Sequence, residues 1–191
     1  MYDDFYKTDF GKFALKKEAE YIIKEMKGTV LSIGCGTGMI EREIEKSGQI
    51  KIIGLEKDDE MLKIARKRIT AIKGDAAWLP FANEKFDGVI FITSLEFIDD
   101  YKKAIEEAYR VLKKNGKLIA MLLNTHSKYF KEKKEKGGYI SKNIKHERIK
   151  DIEKEAKKYF ELSHEFFLCM NMKNDCNKDE KTLYVINGRK R

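Results

Sequence analysis

From residue 14 to residue 125, short apolar runs alternate with segments of helical spacing, and that rhythm leaves few folds open. Residues 29–33, 51–56, 69–72, 86–93 and 118–123 read as strands. Leu15, Ala19, Ile22 and Met26 recur at helical spacing before the first of them. Met39, Ile40 and Ile44 do so after it, and Met61, Leu62 and Ala65 share a face behind Asp58 or Asp59, either a natural N-cap. Ala104, Ile105, Ala108, Tyr109 and Leu112 mark a helix over 101–113. Alternation of this kind builds a parallel sheet covered by helices on both faces. The uninterrupted run Val89-Ile90-Phe91-Ile92 suits a strand buried on both sides. Beyond residue 125 the rhythm breaks. Ile149, Ile152, Ala156 and Tyr159 predict a helix over 146–159, and strand candidates at 166–172 and 182–187 follow with no helix between them. The last strand is therefore expected to run antiparallel, in an α/β fold with seven strands.

A length of 191 residues fits one domain with a sizeable core. No apolar run approaches the roughly 20 residues a membrane helix needs. Met1-Tyr2-Asp3-Asp4-Phe5 lacks the basic-then-apolar order of a secretion signal, so a cytoplasmic protein without membrane contact is expected. Three cysteines, Cys35, Cys169 and Cys176, contain no C-x-x-C pair and argue against a disulfide scaffold, a zinc module or any other metal site. Charge is unevenly placed. Residues 1–125 carry 22 Lys/Arg against 21 Asp/Glu, whereas residues 126–191 carry 18 against 11. Any electrostatic preference for a partner should lie in the C-terminal third.

Three features end three successive strands. Gly34-Cys35-Gly36-Thr37-Gly38 lets the chain turn tightly and lets a ligand approach main-chain atoms. A turn with no ligand is the plainer alternative. A dinucleotide fingerprint needs G-x-G-x-x-G, and its third glycine would fall on Met39. Glu56 closes the second strand, where a carboxylate can accept both hydroxyls of a ribose lying across the sheet. Its alternative is the first charge of a charged loop, since Lys57-Asp58-Asp59-Glu60 follows. Asp75, after the third strand, can accept from an adenine amino group, or serve as a turn residue.

In this order the motifs resemble the class I S-adenosylmethionine-dependent methyltransferases, and among them the small type 11 methyltransferase domain. The resemblance is carried by Val30-Leu31-Ser32-Ile33-Gly34-Cys35-Gly36-Thr37-Gly38, Gly54-Leu55-Glu56 and Glu60-Met61-Leu62. Gly74 to Phe81, Phe86-Asp87 and Arg110-Val111-Leu112-Lys113 complete it, over roughly residues 30–124. It implies a Rossmann-like sheet of seven mostly parallel strands and S-adenosylmethionine as cofactor, with S-adenosylhomocysteine as product. Gly34, Cys35, Gly36, Thr37 and Gly38 would pass under the methionine part, and Glu56 would hold the ribose. Lys57 and Met61 would flank the adenosine, Asp75 and the Ala76 amide would read the adenine, and the Ile92 main chain would sit by the methionine end. Tyr6, with Gly11 and Glu18, resembles a tyrosine, glycine and glutamate pattern of one branch, which makes Tyr6 a candidate lid. The single domain then divides into an N-terminal helix and lid (1–28), a cofactor-binding core (29–125), a basic substrate-side lid (126–145) and a C-terminal helix with a strand pair (146–191).

The departures narrow the chemistry. Phe97 stands where the family often has histidine, no Asn/Asp-Pro-Pro-Tyr/Phe motif follows strand four, and no cysteine nucleophile lies there. If a base is needed, His126 and Tyr6 are the candidates. Segment 126–145 interleaves Lys128, Lys131, Lys133, Lys134, Lys136, Lys142 and Lys145 with Tyr129, Phe130 and Tyr139, which suits a lid, a nucleic-acid contact or a solvated loop. Methyl transfer to a small molecule is the leading expectation. An RNA or protein methyltransferase and a non-catalytic S-adenosylmethionine-binding protein are the alternatives.

Overall fold

The computed structural model describes residues 2–173 and 175–191. Seven strands form one sheet: β1 (Gly28–Ile33), β2 (Ile50–Glu56), β3 (Ala71–Lys73), β4 (Phe86–Ile92), β5 (Leu112–Leu123), β6 (Phe160–Cys169) and β7 (Lys181–Lys190). Their spatial order is β3-β2-β1-β4-β5-β7-β6. The pairs among β1 to β5 are parallel, and β7 runs antiparallel to both β5 and β6. The last strand is thus the reversed one, as the lack of a helix between the final two strands implies. The strands of the C-terminal pair are longer than their apolar cores, because antiparallel partners keep pairing through charged positions such as Glu161 opposite Arg189.

Alternation along the strands assigns each face its cover. Val89, Phe91, Leu118, Ala120 and Leu122 point to one side, where they meet Ala104, Ile105 and Ala108 of α4 (Tyr101–Val111) and Ile152 and Ala156 of α7 (Ile149–Ala156). Ile90, Ile92, Ile119, Met121 and Leu123 point to the other side. There they pack under Ala14, Ala19 and Ile22 of α1 (Asp9–Glu25), Ile40 and Ile44 of α2 (Met39–Glu45) and Phe130 of α5 (Lys128–Glu135). Each fully buried side chain of this size contributes about 1.5–3 kcal/mol. A short helix α3 (Asp59–Ala65) closes a third cluster with Leu62 and Ala65 against Cys35, Ile69 and Ala71. Segment 126–145, which has no clear period in sequence, folds into α5 and α6 (Tyr139–Asn143).

One expectation needs correction. The odd cysteine count points away from disulfides, yet Cys169 and Cys176 are joined. The chain turns back after β6, so that the two Cα atoms lie 6.0 Å apart across a separation of seven residues. Spacing alone does not announce such a return. Cys35 is the free, buried cysteine.

Arg110 explains why a basic residue ends α4. Its Nε and Nη2 donate to the two oxygens of Glu107 at 2.7 and 2.8 Å. The same guanidinium donates to the carbonyls of Phe81 and Leu79 and to the Asn83 side chain, and Glu107 accepts the Leu79 N–H at 2.8 Å. One planar fork therefore holds the loop after β3 against α4. Arg110→Ala is expected to cost about 1.5–3 kcal/mol, because it leaves the buried Glu107 without its charged donor. Arg110→Lys should recover little of this, since an ammonium cannot span those acceptors. Urea unfolding of both variants measures it. Full recovery by lysine would mean that charge, not the fork, holds the loop.

Candidate active site

The glycine loop leaves β1 at the carboxyl edge of the sheet, where parallel α/β sheets bind ligands. Gly34 has a φ of +70°, and a Cβ there would stand 2.7 Å from the Ser94 Cβ. Glycine is required on both counts. The N–H groups of Gly34 and Cys35 donate to the Leu55 carbonyl at 2.8 and 3.1 Å, which ties the loop to β2. Gly36 and Gly38 also have positive φ. The Cys35 side chain turns away into the cluster under α3, and burial pushes its thiol up, so only its backbone faces the loop's open side.

Glu56 is buried, and its carboxylate organises the loop from below. The Gly36 N–H donates to Oε2 at 2.7 Å, and the N–H groups of Lys57 and Asp58 donate to Oε1 at 2.8 and 2.9 Å. Asp58 then caps α3 by accepting from the Met61 N–H at 2.8 Å, which sets the Met61 side chain at the cavity wall. Asp75 accepts from the Lys57 ammonium and from the Ala77 N–H, at 2.8 and 2.9 Å, and the Lys57 charge holds its carboxyl below the usual range. Glu56, Lys57, Met61 and Asp75 thus gather along one rim, while the Ala76 side chain joins the core.

Beyond the loop lies a cavity of about 610 Å³. Its floor is the strand ends: Thr93 after β4, Leu123 of β5, Leu168 of β6 and Thr182 and Leu183 of β7. One wall is the N-terminal segment, with Phe5, Tyr6, Phe10, Ala14 and Glu18. The other is the 126–145 segment, with Tyr129, Lys133, Tyr139 and Ile140. Both walls are tied down. Asp3 accepts from Thr37 at 2.6 Å and pairs with Arg68 at 2.8 Å, while Arg68 also donates to the Thr37 carbonyl. Gly11 makes this packing possible, because a Cβ there would lie 1.9 Å from the Phe5 carbonyl oxygen. The second wall starts at Ser127, which caps α5, and ends where the N–H groups of Lys145 and His146 donate to the Glu96 carbonyl. From it Tyr139 leans across the mouth. Its ring lies 5.6 Å from that of Phe97, and burial, then the Glu56 and Asp58 charges, push its hydroxyl up.

Buried carboxyls surround this edge. Glu96 accepts the Leu123 N–H at 2.8 Å, and burial pushes it up to about 7. Glu41 accepts the Ser32 hydroxyl at 2.7 Å and is likewise pushed up by burial, to about 7. Burial, with the neighbouring Glu41 second, pushes Glu18 up to about 8. The two proposed bases part company here. Tyr6 lines the cavity, but His126 is exposed and outside it, its N–H tied to the Asn124 side chain at 3.2 Å. The Ile92 side chain is committed to the core, and the next residue, Thr93, at a φ of 45°, faces the cavity instead. Phe10 and Leu183 have no local signal in the sequence, whereas Phe97 is marked by its place after strand four. Tyr129 and Tyr139 have one, the aromatics interleaved with lysines.

The comparisons fit this geometry. Residues 31–120 match the family described as methyltransferase domain. A Methanocaldococcus jannaschii protein described as uncharacterized is 40% identical over 136 residues, 69% of this chain and 64% of its own. A Thermotoga maritima demethylmenaquinone methyltransferase is 33% identical over 120 residues, 60% of this chain and 52% of its own. This chain therefore spans about half to two-thirds of the length of those relatives. A solved Thermotoga maritima S-adenosylmethionine-dependent methyltransferase, described as a possible histamine N-methyltransferase, superimposes with a TM-score of 0.80 at 29% identity, covering 100% of this chain and 95% of its own. A solved Methanococcus maripaludis protein shares the fold, with a TM-score of 0.71 at 21% identity over 100% of this chain and 91% of its own. Glycine loop and strand-end glutamate lie within the stretch that matches the methyltransferase domain family, and the reversed last strand completes a fold shared with solved S-adenosylmethionine-dependent methyltransferases.

Proposed function

We propose that this chain moves the methyl group of S-adenosylmethionine to a small-molecule acceptor bound in the aromatic cavity. The observation that carries the reading is the cavity's place at the carboxyl edge of the sheet, with Met61 and Thr93 in its lining and two sides closed by anchored chain. The residues fit the cofactor. Gly34 to Gly38 leave room for its methionine part, and Glu56, held by three N–H groups, keeps one lone pair on Oε2 for a ribose hydroxyl. Lys57 and Met61 would flank the adenosine, Asp75 and the Ala76 amide would meet the adenine, and the Ile92 main chain would lie by the methionine end. When bound, the cofactor supplies a sulfonium whose methyl carbon a nucleophile displaces while the thioether leaves.

The chain's own work is then alignment and exclusion of water, which can supply about 7–11 kcal/mol. Tyr6 and Tyr139 would cover the reacting atoms from opposite walls. Of the two proposed bases only Tyr6 is placed to touch an acceptor. One relative is named for the small acceptor demethylmenaquinone and one solved neighbour is described as a possible histamine N-methyltransferase, which supports the same class here. The lysines of 126–145 support a lid over a nucleic-acid contact. Lys134 pairs with Glu147, Lys136 with Glu132 and Lys145 with Asp99, and the Lys133 ammonium stands 5.5 Å from the Tyr129 ring centroid. Charges already paired within the chain have fewer counterions to release on phosphates.

Calorimetry should find binding of S-adenosylmethionine and S-adenosylhomocysteine and none of NAD. Glu56→Ala should weaken that binding by about 1.5–3 kcal/mol, with Glu56→Gln intermediate because one oxygen still accepts from the loop. Tight NAD binding with no response to the sulfur compounds would sink the reading.

Replacing Lys131, Lys133 and Lys134 together with Gln separates the lid from a nucleic-acid surface. A lid predicts weak, salt-insensitive RNA binding in wild type and variant alike, with changed turnover of a small acceptor. Submicromolar, steeply salt-dependent RNA binding by the wild type, lost in the triple variant, would favour the other function.

A further inference from the structure

We propose that Glu18 is the counter-ion for an ammonium group bound in the cavity, an inference that rests on reading the cavity as the methyl-transfer site. Two sources present that chemistry: the amino group of an amine acceptor and the amino group of the cofactor's methionine part.

Glu18 is 6% exposed, on the face of α1 that otherwise buries Gly11, Ala14, Ala19 and Ile22. Its carboxyl borders the cavity beside Ala14. Among the described residues no hydrogen bond and no cation acts on its carboxyl, only burial and the charge of one neighbour. The charge that acts on it is another acid, Glu41, whose own carboxyl already serves Ser32. Lys133, the cavity's other charged residue, stands over the Tyr129 ring and forms no pair with Glu18. An isolated buried acid is costly, so an apolar residue would serve α1 better if packing were its whole purpose. Its surroundings also suit a cation. Tyr6 and Phe10 on its own wall and Tyr129 on the other line the cavity and offer aromatic rings, whose faces attract ammonium groups. Burial pushes the Glu18 carboxyl up while no cation pairs with it, and an arriving ammonium would draw it to ionise.

The test uses the full chain and its Glu18→Gln variant. Calorimetry is run with S-adenosylhomocysteine, with 5′-methylthioadenosine, which keeps nucleoside and sulfur but has no ammonium, and with phenethylamine added to the S-adenosylhomocysteine complex. Loss of one charge-assisted contact corresponds to about 10- to 100-fold in affinity. A loss of that size for S-adenosylhomocysteine, with 5′-methylthioadenosine unchanged, assigns the cofactor's ammonium to Glu18. Unchanged nucleoside binding, with the wild type's phenethylamine binding lost, assigns the acceptor's. Because both nucleosides are measured on one sample, their ratio is independent of how much of the variant folds.

The proposal is overturned if both nucleosides weaken alike. It is also overturned if S-adenosylhomocysteine binding is unchanged while phenethylamine binding is absent in the wild type or survives in the variant. A wild type that binds neither nucleoside overturns the methyl-transfer reading, and this inference with it.

Discussion

A parallel sheet buried on both faces can meet a ligand only at its edges, and everything functional in this chain follows from that constraint. Val89 and Phe91 are claimed by α4 and α7, Ile90 and Ile92 by α1, α2 and α5. No side chain from the middle of β4 is left for chemistry. What remains is the carboxyl edge, where the backbone must leave each strand and turn back. Gly34 turns there because Ser94 allows no Cβ, and Glu56 gathers the freed N–H groups of Gly36, Lys57 and Asp58. The same carboxylate that we propose holds a ribose is thus what gives the loop its shape.

Coverage of the edge depends on pairings distant in sequence. Asp3 reaches Thr37 and Arg68, Glu96 holds both Leu123 and the end of the 126–145 segment, and Asn124 holds the turn before β7 through the Lys178 and Lys181 carbonyls. These polar ties act where burial raises the worth of each hydrogen bond and the cost of each missing one. The disulfide from Cys169 fastens the same edge, next to Leu168 of the cavity floor. Several lysines of the C-terminal third pair with local carboxylates such as Glu147, Glu153 and Glu155, and 18 Lys/Arg against 11 Asp/Glu still leave that third positive.

The order of strands and helices, the both-sided burial of β4, the reversed last strand and the glycine and acid positions at three strand ends are all legible from residue types and spacing. Each depends on short-range periodicity or backbone freedom, which neighbouring residues decide. Arg110 shows the limit of a motif: its place in the pattern is visible, but its work, clamping Leu79, Phe81 and Asn83, appears only once α4 lies against that loop. Tertiary structure alone decided that His126 faces solvent, that Thr93 and not the Ile92 side chain meets the cavity, and that Cys169 and Cys176 join. It also brought Phe10, Phe97, Tyr129, Tyr139 and Leu183 together with Glu18 around one cavity. Contacts between residues so far apart are set by how the sheet and its covering helices close, a property no local window of sequence contains.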